Sequence, residues 1–336
     1  MSLYDLNKEQ LQDLKEVLQS LLDHSNAAII KNNFIKSFFN YTLDGNLKGN
    51  YNHFGAKSYR PTSSNPNLLN QPSTGSKYAK PIKKCFKTTG NKLFYAIDYS
   101  SLEDRALANL SEDENKIAIF EEGLDGHCTH SYTYFKDEIE NELPRKKGES
   151  KSDFIKRYHY EVENGNTVLK NIRQKSKAPS FKLNYLGYPD SHKGGSITPE
   201  IYDKYHNELY LGVTRFRNKM LSKAHKNGRI HLGLGCYLYT NNVEDQERTL
   251  NNACSQYWSI LALLTMEKMN SLIEENGLSN DIEFVTTIYD SLYLKFTKDP
   301  EVLKWLNDNI VEVMSKDFLP DQKVHNEVQG EIGYNF

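Results

Sequence analysis

Apolar and polar positions change their spacing several times along the chain, and each change predicts an element. Residues 6–22, LNKEQLQDLKEVLQSLL, carry Leu11, Leu14, Leu18, Leu21 and Leu22 at helical spacing with charges between them. That pattern predicts an amphipathic helix in need of a partner surface. LFYAID (93–98) is an aromatic-rich apolar run that ends on Asp98, as a buried strand would, and Ser101 to Leu110 follows it with helical spacing. EFVTTIYDSLYLKF (283–296) is a second apolar run interrupted by one acid, Asp290, with Ile288, Leu292, Leu294 and Phe296 alternating as in a strand or hairpin. GRIHLGLGCYLYT (228–240) alternates and is punctuated by glycines, the mark of another hairpin. Helical spacing recurs near Arg173, from Thr198 to His225 and from Asp245 to Glu275.

Two stretches follow neither period. Residues 51–75 are rich in Asn, Ser, Pro and Gly and are expected to form an ordered irregular segment. Residues 136–166 are densely charged around a Pro-Arg-Lys-Lys-Gly centre, which predicts a solvated helix-loop-helix insertion. Helices and strands together predict an α+β fold.

Composition narrows the function classes. With 336 residues, 38% hydrophobic and 12% aromatic, the chain has enough apolar material for one large domain or two subdomains. Lys plus Arg (42) nearly balance Asp plus Glu (44), so any nucleic-acid surface must be a local patch. Cys85, Cys128, Cys236 and Cys254 are scattered without CxxC spacing, which argues against a zinc site or a disulfide framework and for a reducing compartment. No apolar run reaches the ~20 residues of a membrane span, and the N-terminus is too polar for a secretory signal. The expected location is the cytoplasm, with no membrane partner.

The two acids carry the candidate chemistry. Either one alone would pass as an ordinary strand terminator. If the two strands are neighbours in one sheet, Asp98 and Asp290 converge, and adjacent carboxylates in an apolar setting repel unless cations neutralise them. Hard oxygen ligands favour Mg²⁺, and a pair of ions suits phosphoryl transfer. The segment RQKSKAPSFKLNYLG puts Arg173, Lys177, Phe181 and Tyr185 at successive steps of four. On a helix that is one face with two cations for phosphates and two aromatics for a base.

These residues fall into motifs. DYSSLEDR (98–105), RQKSKAPSFKLNY (173–185) and IYDS (288–291) resemble the three principal motifs of family A DNA polymerases: DYSxIExR, the RxxxKxxxFxxxY fingers helix and the HDE motif. RPTSSNPNLLNQP (60–72) is similar to the palm segment RxSSxxPNLQNxP, GLDGHCTH (123–130) to GxDIHT, RTLNNACSQ (248–256) to RxxxNxxxQ, and the ending GEIGYNF to VGIGxxW. They occur in the family's order over about residues 25–336.

The resemblance implies a polymerase palm with helical fingers and a thumb that is largely absent. Residues 1–50 would form an N-terminal helix and thumb base, 51–123 and 227–336 the palm, and 124–226 the fingers including the 136–166 insertion. It implies template-directed DNA synthesis on primer-template DNA from dNTPs, with two Mg²⁺ ions or substituting Mn²⁺. Asp98 and Asp290, with the Tyr99 carbonyl, would hold the metals. Arg173, Lys177 and His127 would hold the triphosphate, Phe181 and Tyr185 would face the base pair, and Glu103 would exclude a ribose 2′-hydroxyl. Arg60, Asn67, Asn70, Arg248, Asn252 and Gln256 would touch DNA.

The sequence departs from the pattern at several places. Tyr289 and Ser291 replace the His and Glu of the third motif, Pro179 sits inside the fingers helix, Lys182 replaces a Gly, and Asp104 replaces an apolar residue. About fifty residues precede the first palm motif, so no proofreading exonuclease is expected in this chain. A companion chain that supplies thumb and exonuclease is one expectation, the small size of a phage-encoded enzyme another. A binding-only subunit of a split polymerase and a metal-dependent nuclease are the alternative functions.

Overall fold

A computed structural model of the chain describes residues 7–72, 78–191 and 195–335. Residues 73–75 of the irregular segment and Phe336 of the closing motif lie outside them. Helix α1 (Lys8–Ile29) starts on a capping box, in which Asn7 Oδ1 accepts from the Gln10 amide and the Gln10 side chain accepts from the Asn7 amide. It runs well past the expected end at Leu22, through a wide helical turn at Ile30–Lys36, to Tyr41. The reason is that no Gly or Pro interrupts the chain before Gly45. None of the residues of Lys8–Ile29 is buried, and Leu11, Leu18, Leu21 and Leu22 stay exposed.

Strand β1 (Lys92–Tyr99) leads through the left-handed Ser101 (φ 55°) into α2 (Leu102–Ser111). Then come α3 (Glu114–Glu121), α4 (Gly126–Tyr134), α5 (Lys136–Glu142), α6 (Lys151–Glu163) and the long α7 (Thr167–Asn184). Short helical turns at Pro199–Lys204 and Tyr205–Leu209 precede α8 (Leu211–Asn227), so the helix expected from Thr198 to His225 is broken, at Tyr210. The break has a use: it turns the buried Tyr210 hydroxyl onto His130 Nε2 at 2.7 Å. The hairpin β2 (Arg229–Gly233) and β3 (Cys236–Tyr239) precedes α9 (Val243–Gln256) and α10 (Ile260–Glu275). The chain closes with β4 (Ile282–Ile288), β5 (Ser291–Thr297), α11 (Pro300–Met314) and β6 (Val328–Gly333).

The principal sheet is antiparallel with strand order β6-β1-β5-β4. Its two faces follow from the two-residue period of a strand. Tyr95, Ile97 and Tyr99 of β1 share one face with their cross-strand neighbours Leu292 and Leu294 and with Phe296, and bury against Trp258, Ala262, Met269 and Ile273 before and within α10 and Leu306, Ile310 and Met314 of α11. Each such large side chain removed from water contributes about 1.5–3 kcal/mol. The other face carries Asp98, exposed, beside Ser291. The fold is α+β, as expected.

The charged insertion corrects its reading. Residues 136–142 and 151–163 do form two helices around a loop, but they are not a solvated appendage. Ile139, Phe154, Ile155, Tyr158 and Val162 are buried with Cys128, Tyr132, Leu169 and Ile172 as a core of their own. A polar majority conceals an apolar stripe at 154, 155, 158 and 162, which is the helical period. Among the described residues no helix is long and apolar enough to cross a membrane.

Candidate active site

The register of the sheet decides where the acids go. Asp98 is paired directly with Ser291, and Asp290 precedes Ser291 in the tight turn between β4 and β5. Both acids therefore stand at one edge of the sheet. Ser291 Oγ donates to Asp98 Oδ1 at 2.6 Å, so the hydroxyl that replaces the motif's carboxylate orients the first acid. Burial, then the negative charge of Asp98, pushes the Asp290 carboxyl up to about 6. Tyr289, the residue before it, is held left-handed (φ 57°), as is Ser101 beyond Asp98, a backbone strain typical of sites whose geometry is over-determined. The Tyr99 side chain points into the core, where its hydroxyl meets Thr265 at 3.5 Å, and leaves its backbone beside Asp98. Among the described residues no group of three or more His, Cys, Asp or Glu gathers as a metal cage, so the acids offer a two-carboxylate edge.

Glu103 faces the same edge from the first turn of α2 and is fully engaged. Arg60 Nη2 binds its Oε1, and Tyr185 Oη donates to its Oε2 at 2.6 Å. The Arg60 guanidinium also lies 5.3 Å from the Tyr289 ring centroid, so it joins Glu103 to the acid-bearing turn. Arg60, expected to touch DNA, pairs with Glu103 in this structure.

The four residues of the fingers motif lie along α7, with Tyr185 at its C-cap. Lys177 is half-buried with no hydrogen-bond or ion-pair partner among the described residues. Phe181 is 65% exposed and its ring lies 5.3 Å from that of Tyr185. Arg173 differs: its Nε and Nη2 reach Asp125 Oδ1 and Oδ2 at 2.9 and 2.7 Å. Asp125 also caps α4 by accepting from the Cys128 amide at 2.7 Å. Burial would raise its pKa, but the bonds from Arg173 and the Cys128 amide hold it well below the usual carboxylate range. Asp125 was not singled out from the sequence; the signal was its place in GLDGHCTH, an Asp two residues before His127 at a helix start. His127 lies half-buried near this pair, and burial depresses its pKa while Asp125 opposes that shift.

Pro179 is buried inside α7, which continues through it to Asn184. Lys182, in the last turn of α7, reaches Asp190 of the following loop at 3.4 Å. Asn67 Oδ1 accepts from the Leu69 and Asn70 amides, so it shapes its own turn, and Asn70 is exposed. Arg248, Asn252 and Gln256 share one face of α9 at steps of four, and Arg248 Nη2 reaches the Leu186 carbonyl at 3.4 Å beyond the end of α7.

Known proteins resemble this chain in sequence and in fold. The model of DNA polymerase family A matches residues 2–336. DNA polymerase I of Chloroflexus aurantiacus is 33% identical over 129 residues, 38% of this chain and 14% of that protein. DNA polymerase I of Streptococcus pneumoniae is 22% identical over 323 residues, 94% of this chain and 32% of that protein. The chain thus spans a third or less of the length of these relatives. The POL domain of Pol1 from M. smegmatis, solved in complex with DNA primer-template and dNTP, shares the fold at a TM-score of 0.75 and 22% identity, covering 100% of this chain and 57% of that one.

Proposed function

The chain belongs to DNA polymerase family A, and from that premise we propose that it adds deoxynucleotides to a primer 3′ end under the direction of a template strand. The observation that carries the reading is the strand register, which sets Asp98 and Asp290 together, with the Tyr185–Glu103 bond tying the end of α7 to the helix that follows Asp98. We take residues 51–123 and 227–336 as palm and 124–226 as fingers.

The fit of divalent cations rests on the acids themselves. Asp290 is raised because it is buried near a second negative charge, and a cation between the two would relieve both costs. Two ions held by Asp98, Asp290 and the Tyr99 carbonyl would activate the primer hydroxyl and stabilise the leaving oxygen. In the reaction the 3′ oxygen forms a bond to the α-phosphorus as the bond to the β-phosphate oxygen breaks, releasing pyrophosphate.

The chain's own residues bind and orient. Lys177, Arg173 and His127 line the phosphate side, and of these only Lys177 comes with its charge unspent. Phe181 offers an open ring to the incoming sugar and base. Both carboxylate oxygens of Glu103 are already taken by Arg60 and Tyr185, so the group is a fixed wall. A 2′-hydroxyl pressed against it would find no space, and a deoxyribose needs none. The polar face of α9, exposed at Arg248 and half-buried at Asn252 and Gln256, and the Asn67–Asn70 turn would lie along the duplex.

Purified chain, a primed template, Mg²⁺ and single dNTPs test the proposal. Extension only by the nucleotide complementary to the templating base is expected. Shortening of the primer would instead indicate a nuclease, and no product until a companion chain is added would indicate a binding-only subunit.

A further inference from the structure

Behind the sugar-facing Glu103 lies an ion pair between a buried cation and a half-exposed carboxylate that the residues above do not use. Lys116 of α3 is 1% exposed, and its Nζ is 3.0 Å from Oδ1 of Asp104, the neighbour of Glu103 on α2. The same Asp104 oxygen lies 3.4 Å from Nδ2 of Asn184, the last residue of α7 and the neighbour of Tyr185. Asn184 is itself held: its Oδ1 accepts from Tyr205 Oη at 2.6 Å, and its carbonyl accepts from Nη2 of the buried Arg217 at 2.6 Å. On its other side the Lys116 ammonium sits 4.5 Å from the Tyr210 ring centroid, Tyr210 Oη is 2.7 Å from His130 Nε2, and the His130 ring is 6.1 Å from that of His127. One buried cation therefore touches a chain of contacts that reaches the sugar side of the site in one direction and the phosphate side in the other.

The type of residue is informative. An ion pair built on a buried cation is weak evidence for stability. Its better-attested use is to fix one register between packed elements. Here the elements are the helix that bears Glu103 and the helix that ends at Tyr185, whose mutual bond closes the wall against a 2′-hydroxyl. No backbone ladder joins two helices, so side chains must set their register.

We propose that Lys116, through Asp104 and Asn184, is a positioning residue that holds Glu103 and Tyr185 in register and so sets discrimination between deoxyribose and ribose. It does not touch the nucleotide. The proposal rests on the polymerase reading above, so its test includes a measurement that needs no catalysis.

The variants are Asp104→Leu, Lys116→Met and the two combined. Asp104→Leu leaves the buried Lys116 ammonium without its partner, Lys116→Met leaves the half-exposed Asp104 carboxylate without its own, and the double change puts an apolar contact in place of the pair. Single-nucleotide incorporation gives kcat and KM for dNTP and for the matching rNTP, and hydrogen exchange reads the amides of Asn184, Tyr185 and Leu186. Expected is a fall of about tenfold in the dNTP-to-rNTP ratio of kcat/KM in each single variant. It should come mainly through a raised KM for dNTP, with faster exchange at those amides, and both effects should return toward wild type in the double variant. Lower melting temperatures in the single variants with an unchanged ratio and unchanged exchange would overturn the proposal and leave the pair a structural contact. Should the wild type extend no primer, the polymerase reading fails, and the exchange rates alone decide whether the latch exists.

Discussion

The sheet that carries the acids and the joint between α2 and α7 meet at Glu103, yet they are built on opposite chemistry. In the sheet, a hydrogen-bonded ladder fixes every position, so the side chains behind it can be plain apolar residues such as Tyr95, Ile97, Leu292 and Leu294. Two acids are then left at the edge with no cation bonded to either among the described residues, and burial beside Asp98 disfavours the charge of Asp290. In the joint no ladder exists, and position is set by bonded polar groups: Arg60 with Glu103, Tyr185 with Glu103, Lys116 with Asp104, Arg173 with Asp125. Geometry enforced by backbone leaves charges free for chemistry, whereas geometry enforced by side chains consumes them.

The sharpest way to break this contrast is at the sheet edge. Asp98→Asn or Asp290→Asn should lower the rate of nucleotide addition by roughly 10³-fold or more, because several kcal/mol of transition-state stabilisation would depend on each carboxylate. The fold should survive, and metal-free Asp290→Asn should melt no lower than wild type since it removes a repelled charge. Rapid-quench incorporation and thermal melts at pH 8 check both halves. An unchanged rate would mean that the edge is not the catalytic one.

Along α7 the two cations should separate by their partners. Lys177→Ala is expected to weaken dNTP use by roughly 10²-fold, on the order of 3 kcal/mol, with no change in melting temperature. Arg173→Ala should do both, since it strands the Asp125 carboxylate and forfeits charge-assisted bonds of about 2 kcal/mol. Steady-state kinetics and calorimetry on the pair show whether the difference exists. At the meeting point, Glu103→Ala should raise ribonucleotide use relative to deoxynucleotide about tenfold. A constant ratio in a competition assay would reduce Glu103 to a helix-surface acid.

The smallest effects are on stability against pH, and the two regions should differ in sign. Asp290 is raised in the fold to about 6 from 3.8, so the folded state holds that proton more tightly than the unfolded chain does. Its contribution falls as pH rises from about 4 to 6 and leaves a cost of about 3 kcal/mol above that. His130 in the joint is depressed by burial, then by Lys116, to about 3 from 6.5. Its contribution is full above pH 6.5 and is lost as pH falls toward 3. Depressed Asp125 adds loss on the same acid side, below the ordinary carboxylate range. Melts from pH 3 to 8 should show the loss between pH 4 and 6 flattened in Asp290→Asn and the acid loss softened in His130→Gln.

The same contrast explains what could be read from sequence. The two strands are legible because a strand has a period of two and a face: the alternation marks both acid-bearing segments, and the structure supplies the condition that they be neighbours in one sheet. The fingers row was legible because Arg173, Lys177 and Phe181 repeat at four on a helix that ignores its Pro179. The joint was not, because a bond such as Lys116 to Asp104 or Arg173 to Asp125 depends on how helices pack, which no local period encodes. The Arg60–Glu103 pair is hidden for that reason, and the apolar stripe of α6 is hidden by the charges around it. The length of α1 was misjudged where the leucines stopped, although helix-compatible residues continued to Tyr41.

The central claim is that the carboxylates of the sheet edge and the cations of α7 form one site for a nucleotide and its metal ions. Electron paramagnetic resonance of Mn²⁺, titrated into the protein with primer-template and a dNTP, tests it without relying on turnover. The account predicts protein-dependent Mn²⁺ binding in the wild type that is lost in Asp98→Asn and in Asp290→Asn, and weakened in Lys177→Ala only in step with dNTP affinity. Mn²⁺ binding by both aspartate variants at wild-type strength would contradict it.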